Sequence, residues 1–230
     1  MQVLRLGQPV HALRRAGDRP ALSATLDAAA TRIVDLLVAS VALVLLAPLM
    51  LLAALLIHLD GEGPVLFVQK RVGRDGRHFR MWKFRTMRPS NDERVHQELA
   101  RAWFQGSDAV RGYRKSGDDR VTRVGRILRG TNFDELPQLV NVIRGDMSLV
   151  GPRPAIPYEL EHYQESYYDR LKVKPGITGP WQVSGRDRRT APEMMALDLA
   201  YVATRSVWAD LKILARTVPV LLADLAAVAL

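Results

Sequence analysis

The sequence predicts an α+β fold, predominantly helical, in which an apolar helix-break-helix precedes a polar domain containing a short β-hairpin. Three observations carry this. Residues 36–57, LLVASVALVLLAPLMLLAALLI, hold no charge. Two short apolar runs flank the turn signal GRDG at 73–76. From residue 120 onward, helix-length amphipathic stretches alternate with proline and glycine breaks.

The elements follow in chain order. Residues 1–30 carry Ala, Arg and Gly without a strong period and form an N-terminal extension. Residues 31–60 hold the uncharged stretch. At about 1.5 Å per residue its apolar core reaches roughly 33 Å, enough for a hydrocarbon layer of about 30 Å. Pro48 lies just past its middle, where it removes a backbone hydrogen bond and crowds the preceding turn, so the helix bends or breaks there. Arg14, Arg15, Arg19 and Arg32 precede the stretch, and Lys70, Arg71, Arg74, Arg77, Arg80, Lys83, Arg85 and Arg88 follow it. A spanning helix normally biases Lys and Arg to one side. Charge on both flanks favours a return to the same face, and an ordinary span with a tolerated proline stays open.

Residues 61–230 form the main domain. Val65–Gln69 and His78–Phe84 read as the two strands of the hairpin. Residues 88–119 are a polar loop with one short helix around Val95–Trp103. Helices over Arg120–Leu128 and Phe133–Ile143 flank the acidic pair of TNFDELPQL, 131–139. Pro152, Pro154 and Pro157 break the chain before a helix at Tyr158–Leu171. KVKPGITGPWQVSGR is a Gly/Pro loop. Two helices follow, at Pro192–Thr204 and Ala209–Leu225, and the closing VPVLLADLAAVAL is apolar apart from Asp224. That end suits a membrane surface or a core helix.

A net charge of +9 points to an anionic partner: nucleic acid, anionic lipid or a phosphorylated small molecule. The lack of cysteine excludes disulfides, zinc–thiolate sites and cysteine nucleophiles. Five scattered histidines form no pair at metal-ligand spacing. Asp134 and Glu135 admit two readings. Thr131-x-x-Asp134 matches a helix-capping pattern, while a carboxylate among arginines can be a nucleophile or a metal ligand. Lys83 and Arg85 at i and i+2 on a strand share one face and suit a pyrophosphate, or else form a solvated or lipid-facing basic surface. Arg153, between Pro152 and Pro154, is presented from a stiff loop. KPGITG, 174–179, is a tight turn beside Lys174 of the kind that binds anions, and of the kind that binds nothing.

The order of these stretches is specific. KFRTM at 83–87, RGTNFDELPQLVNVIRGDMSLVGPRP at 129–154 and KPGITGPWQVSGR at 174–186 follow an apolar segment. In this the chain resembles the bacterial sugar transferase family, the small monotopic phosphoglycosyl transferases, from about Thr31 to near its C-terminus. The resemblance implies a catalytic domain on the cytoplasmic face of the bacterial inner membrane, anchored by a re-entrant helix broken at Pro48. It implies transfer of a sugar 1-phosphate from a UDP-sugar to undecaprenyl phosphate, with release of UMP and initiation of a glycan or exopolysaccharide. Asp134 would be the nucleophile, forming a covalent aspartyl-phosphosugar. Mg²⁺ is the implied cofactor, held by Asp134 and Glu135. Arg129 would hold a phosphate, and Lys83, Arg85, Arg153, Lys174, Thr178, Gln182 and Arg186 are the other substrate-binding candidates. The implied partners are the UDP-sugar, undecaprenyl phosphate and membrane lipid, and a homo-oligomer is compatible with the sequence.

Two departures stand out. Ala47 precedes Pro48 where members typically carry serine, and Pro180-Trp181 replaces the Trp-Ala of some members, a variant found among enzymes that place hexose phosphates. Rival readings are a catalytically idle membrane scaffold of a glycan-assembly complex, a metal-dependent lipid-pyrophosphate phosphatase and a membrane-tethered nucleic-acid binder. Intact Asp134, Glu135 and Arg129 argue against the scaffold. The lack of a nucleic-acid-binding motif argues against the last.

Overall fold

The computed structural model describes residues 21–88, 94–105, 119–185 and 189–229. Most of the expected N-terminal extension, much of the polar loop at 88–119 and Arg186 lie outside the described residues. The described residues are mostly helical, with two small two-stranded sheets among them.

Helix α1, Ala21–Leu59, starts ten residues before the expected membrane segment and runs without interruption through Pro48. Thr31, Asp35, Ala39, Ala53 and Ile57 are buried along one face, as the helical repeat requires of residues four and fourteen apart. The opposite face is apolar and bare: Val44 is 73% exposed and Leu51 72%. The two halves of α1 enter different clusters of one domain. Ala39 packs into the cluster of Met81, Val142, Met147 and Tyr201, whereas Ala53 and Ile57 pack with Phe84 and Leu128.

Strands β1 (Leu66–Val72) and β2 (His78–Phe84) pair antiparallel, from Leu66 opposite Phe84 to Val72 opposite His78. The hairpin is the expected one, with its first strand running three residues further, to Val72. The turn forms because Asp75 and Gly76 both accept positive φ, 57° and 73°. Helix α2 spans Arg94–Phe104, near its expected place. Helix α3 (Arg123–Thr131) is followed by a single 3-10 turn, Phe133–Glu135, and then α4 (Gln138–Arg144). The sequence reading had joined the last two into one helix.

Strands β3 (Ser148–Val150) and β4 (Gly176–Thr178) make a parallel pair that sequence reading had assigned to loops. Each is too short for alternation to show, and each is flanked by glycine and proline. The pairing needs glycine, since a Cβ on Gly176 would sit 2.1 Å from the Gly151 nitrogen. Asp35 of α1 fastens the sheet by accepting from the Ser148 hydroxyl and the Leu149 N–H.

The helix expected at Tyr158–Leu171 is instead two 3-10 segments, Pro157–His162 and Glu165–Lys172. Tyr163 breaks the run by taking an extended conformation. There its ring meets Phe104 and Tyr167 edge-on or tilted, and its hydroxyl accepts from Arg170. Helices α5 (Ala191–Thr204) and α6 (Val207–Ala229) close the chain. Proline at the second helical position and the reciprocal Thr190–Glu193 capping box start α5.

Candidate active site

The acidic pair occupies the turn between α3 and α4. Thr122 caps α3 by accepting from the Gly125 N–H, and a Cβ on Gly125 would lie 2.1 Å from the Thr86 carbonyl. Only glycine lets α3 press so closely on the strand end that follows Lys83. At the other end, the Thr131 hydroxyl donates to the carbonyls of Ile127 and Leu128. Thr131 therefore closes α3, and the Thr131–Asp134 capping box read from the sequence does not form. The reversal happens at Asn132, which sits in the left-handed region at φ 60°, ψ 15°. Asparagine tolerates that region better than other side chains with a Cβ. Its amide donates to Asp224 of α6 at 2.7 Å.

The 3-10 turn then presents the two carboxylates in different settings. Asp134 is 8% exposed, and its Oδ1 is buried with no hydrogen-bond donor in reach. Glu135 accepts from Lys83 Nζ at 2.8 Å. Asn141 sets this pairing, because its side chain bonds the Trp82 N–H and the Arg80 carbonyl and so clips α4 to β2. Arg129 lies in the last turn of α3, half-buried. Among the described residues no group of three or more His, Cys, Asp or Glu side chains converges. A divalent ion would thus find two adjacent carboxylates, not a full protein cage. That fits Mg²⁺, which commonly takes one or two carboxylates and completes its shell with substrate phosphates and water.

The remaining candidates are spread more widely. Arg85 turns to the end of α1 and donates to the carbonyls of Ile57, Gly61 and Glu62. It departs from the side shared with Lys83. Arg153 makes a two-pronged pair with the buried Glu159 and lies 6.0 Å from the centre of the Trp103 ring. Burial pushes the Glu159 carboxyl up, but Arg153, with Arg71 and the Ile156 N–H, holds it below the usual range. Lys174 stands with Arg32 beside Gly145, at the end of α4 away from the acidic turn. Its ammonium is held below the ordinary lysine value by burial and then by Arg32, Arg74 and Arg205.

Thr178 and Gln182 belong to a wall that reaches the acidic turn through α6. The Thr178 hydroxyl bonds that of Thr217 at 2.8 Å, and Gln182 Oε1 is buried with no donor in reach. Thr217 and Asp224 are seven residues apart, two turns or about 10 Å along one face of α6. The helix therefore ties the Thr178 strand and the Asn132 corner to a common support. Sequence reading missed Asn132, Thr217 and Glu159 as contributors. The signal for Asp224, a lone charge in an apolar run, was visible without its meaning.

Comparison with known proteins identifies the family. Residues 26–224 match the family model described as bacterial sugar transferase. The chain is 44% identical over 191 residues to the exopolysaccharide production protein ExoY of Rhizobium meliloti (strain 1021), covering 83% of this chain and 84% of that protein. It is 44% identical over 218 residues to a UDP-glucose:undecaprenyl-phosphate glucose-1-phosphate transferase of Caulobacter vibrioides, covering 91% and 75%. With the undecaprenyl-phosphate galactose phosphotransferase of Salmonella typhimurium it shares 39% over 191 residues, covering 83% and 40%. A buried aspartate beside a lysine-held glutamate, the ordered motifs around them and a match over most of the length place this chain in the bacterial sugar transferase family.

Proposed function

We propose that the enzyme moves a hexose 1-phosphate from a UDP-hexose to undecaprenyl phosphate through a covalent bond to Asp134, starting an exopolysaccharide on its lipid carrier. The observation that carries the reading is the buried Asp134 carboxylate in one turn with Glu135, which Lys83 engages. Relatives named for glucose and galactose transfer support a hexose donor.

In the first step a carboxylate oxygen of Asp134 bonds to the sugar-proximal phosphorus while the bond from that phosphorus to the bridging oxygen breaks. UMP departs with that oxygen and its electron pair. In the second step an oxygen of the lipid phosphate bonds to the same phosphorus and the aspartyl–phosphorus bond breaks. Asp134 is returned as a carboxylate, and the sugar is left on a lipid pyrophosphate. Both steps bring anions together, so fixed positive charge is the main catalytic requirement. Lys83 and Arg129 supply it from the strand and from the preceding helix. Asp134 and Glu135 would hold Mg²⁺, which when bound neutralises charge on the pyrophosphate oxygens.

The membrane geometry follows from α1. Arg32 donates to the carbonyls of Val142 and Ile143, while Ala53 and Ile57 pack near Phe133. Pro48 lacks the N–H that would bond the Val44 carbonyl, which favours a bend there. With both arms of α1 docked on one domain, such a bend would carry the bare face around Val44 and Leu51 into lipid. That supports a re-entrant segment and a catalytic domain on the cytoplasmic side, where UDP-sugars are made.

The test is covalent capture. Purified enzyme incubated with UDP-hexose labelled in the sugar should retain label after denaturation, and Asp134→Asn should retain none. Sustained UMP release by Asp134→Asn would rule out the aspartyl route.

A further inference from the structure

Helix α6 carries one charge beyond Arg216, and that is Asp224, set among exposed Leu221, Leu222, Leu225 and Val228. A carboxylate there works against burial of the apolar face in lipid. What it does instead is reach across to the acidic turn. Asp224 Oδ2 accepts from the Asn132 amide at 2.7 Å. Two residues earlier, a Cβ on Gly130 would lie 2.4 Å from Val228 Cγ2, so α3 and α6 meet at close range. Thus α6 holds the chain on both sides of Thr131, and the second hold is on the left-handed residue from which the Phe133–Glu135 turn departs.

We propose that Asp224 is a positioning residue of the transfer reaction. By bonding the Asn132 side chain it fixes the corner that sets where Asp134 and Glu135 point. It does not meet the reacting atoms. Asn132 in the left-handed region is not at its lowest-energy backbone conformation, and a side-chain anchor keeps the corner from relaxing. Near-attack geometry is demanding, with a shift of about 1 Å able to cost on the order of 100-fold in rate. The assignment rests on the transferase reading above and deepens it.

The full chain, purified with lipid, would be assayed for UMP release from UDP-hexose and undecaprenyl phosphate. Asp224→Asn keeps an oxygen that can accept from Asn132, so its kcat should stay within about threefold of wild type. Asp224→Leu makes the helix more apolar but removes the acceptor. Its kcat should fall about tenfold or more, with KM for the UDP-sugar within about twofold and membrane association intact. Asn132→Gly leaves the left-handed region accessible but gives up the bond, and should show the same kcat loss. The double variant should be no slower than the slower single one, because both changes remove the same Asn132–Asp224 bond.

Losses that multiply in the double variant would overturn the assignment, as would a kcat within about threefold of wild type for Asp224→Leu. If Asp224→Leu does not accumulate as folded protein, Asn132→Gly decides alone, and near-normal kcat in it would overturn the proposal. A wild-type enzyme that releases no UMP would defeat the transferase reading itself, and that result is read before any variant is made.

Discussion

Lys83 is a cation set against the acidic pair, 2.8 Å from Glu135, with both side chains about a quarter exposed. A pair this open contributes little to stability, about 1 kcal/mol at most. In the transfer proposed above, its value would be the positive charge it keeps at the acidic turn when the pyrophosphate arrives. Lys83→Met should therefore lower kcat/KM about tenfold or more, equivalent to about 1.4 kcal/mol of transition-state binding. Thermal unfolding should shift by only about 2 °C. Steady-state kinetics beside a melting curve separates the two, and a large melting shift with normal kcat/KM would make Lys83 structural. Spacing alone put Arg85 on the same face as Lys83, as strand periodicity requires. It could not show that β2 ends at Phe84, which frees Arg85 to turn toward the carbonyls at the end of α1.

The element whose geometry matters most is α1. Composition revealed its apolar length and its proline, but the direction of each half depended on Arg32, Asp35, Ala53 and Ile57 finding partners far along the chain. Replacing Pro48 with alanine restores an N–H that can donate to the Val44 carbonyl and removes the ring that crowds that turn. A helix without the proline has no built-in reason to turn back and is freer to cross the bilayer. Because the chain has no cysteine, single cysteines at Thr25 and Gly61 can be labelled cleanly with a membrane-impermeant maleimide. In the native background both should react from the same side of the membrane. In Pro48→Ala a fraction of the Gly61 position should become reactive from the other side. Labelling of the two sites from opposite sides without the substitution would mean that α1 crosses.

At the scale of the whole molecule, the domain is held around a buried polar network. Arg170 bonds Asp198 at 2.5 Å and also donates to the Arg153 carbonyl, and Arg153 in turn pairs with Glu159. Both Arg170 and Asp198 are almost fully buried, and Asp198 Oδ1 and Arg170 Nε have no hydrogen-bond partner. Losing one member leaves an uncompensated charge in a dry site. Arg170→Met should destabilise by about 3–5 kcal/mol, and Arg170→Met with Asp198→Leu by clearly less, as expected for a buried pair with incomplete hydrogen bonding. Denaturant titration of the detergent-solubilised enzyme would show the order. A double variant as unstable as the single one would mean that the network itself, and not the pairing of charge, holds the domain.

The chain's own residues were enough to establish a largely helical fold, a hairpin at 66–84, a long apolar helix and an acidic pair among cations. Each of those is a local matter, set by periodicity, turn chemistry or the identity of neighbouring residues. Tertiary structure decided that Thr131 ends one helix instead of beginning another, that Asn132 makes the corner and that Asp224 reaches it. It also decided that Arg85 serves α1 while Lys83 serves the acidic turn. The Arg85, Lys83 and Asp224 contacts join atoms 28 to 92 positions apart in the chain, and no local pattern encodes which distant donor meets which acceptor.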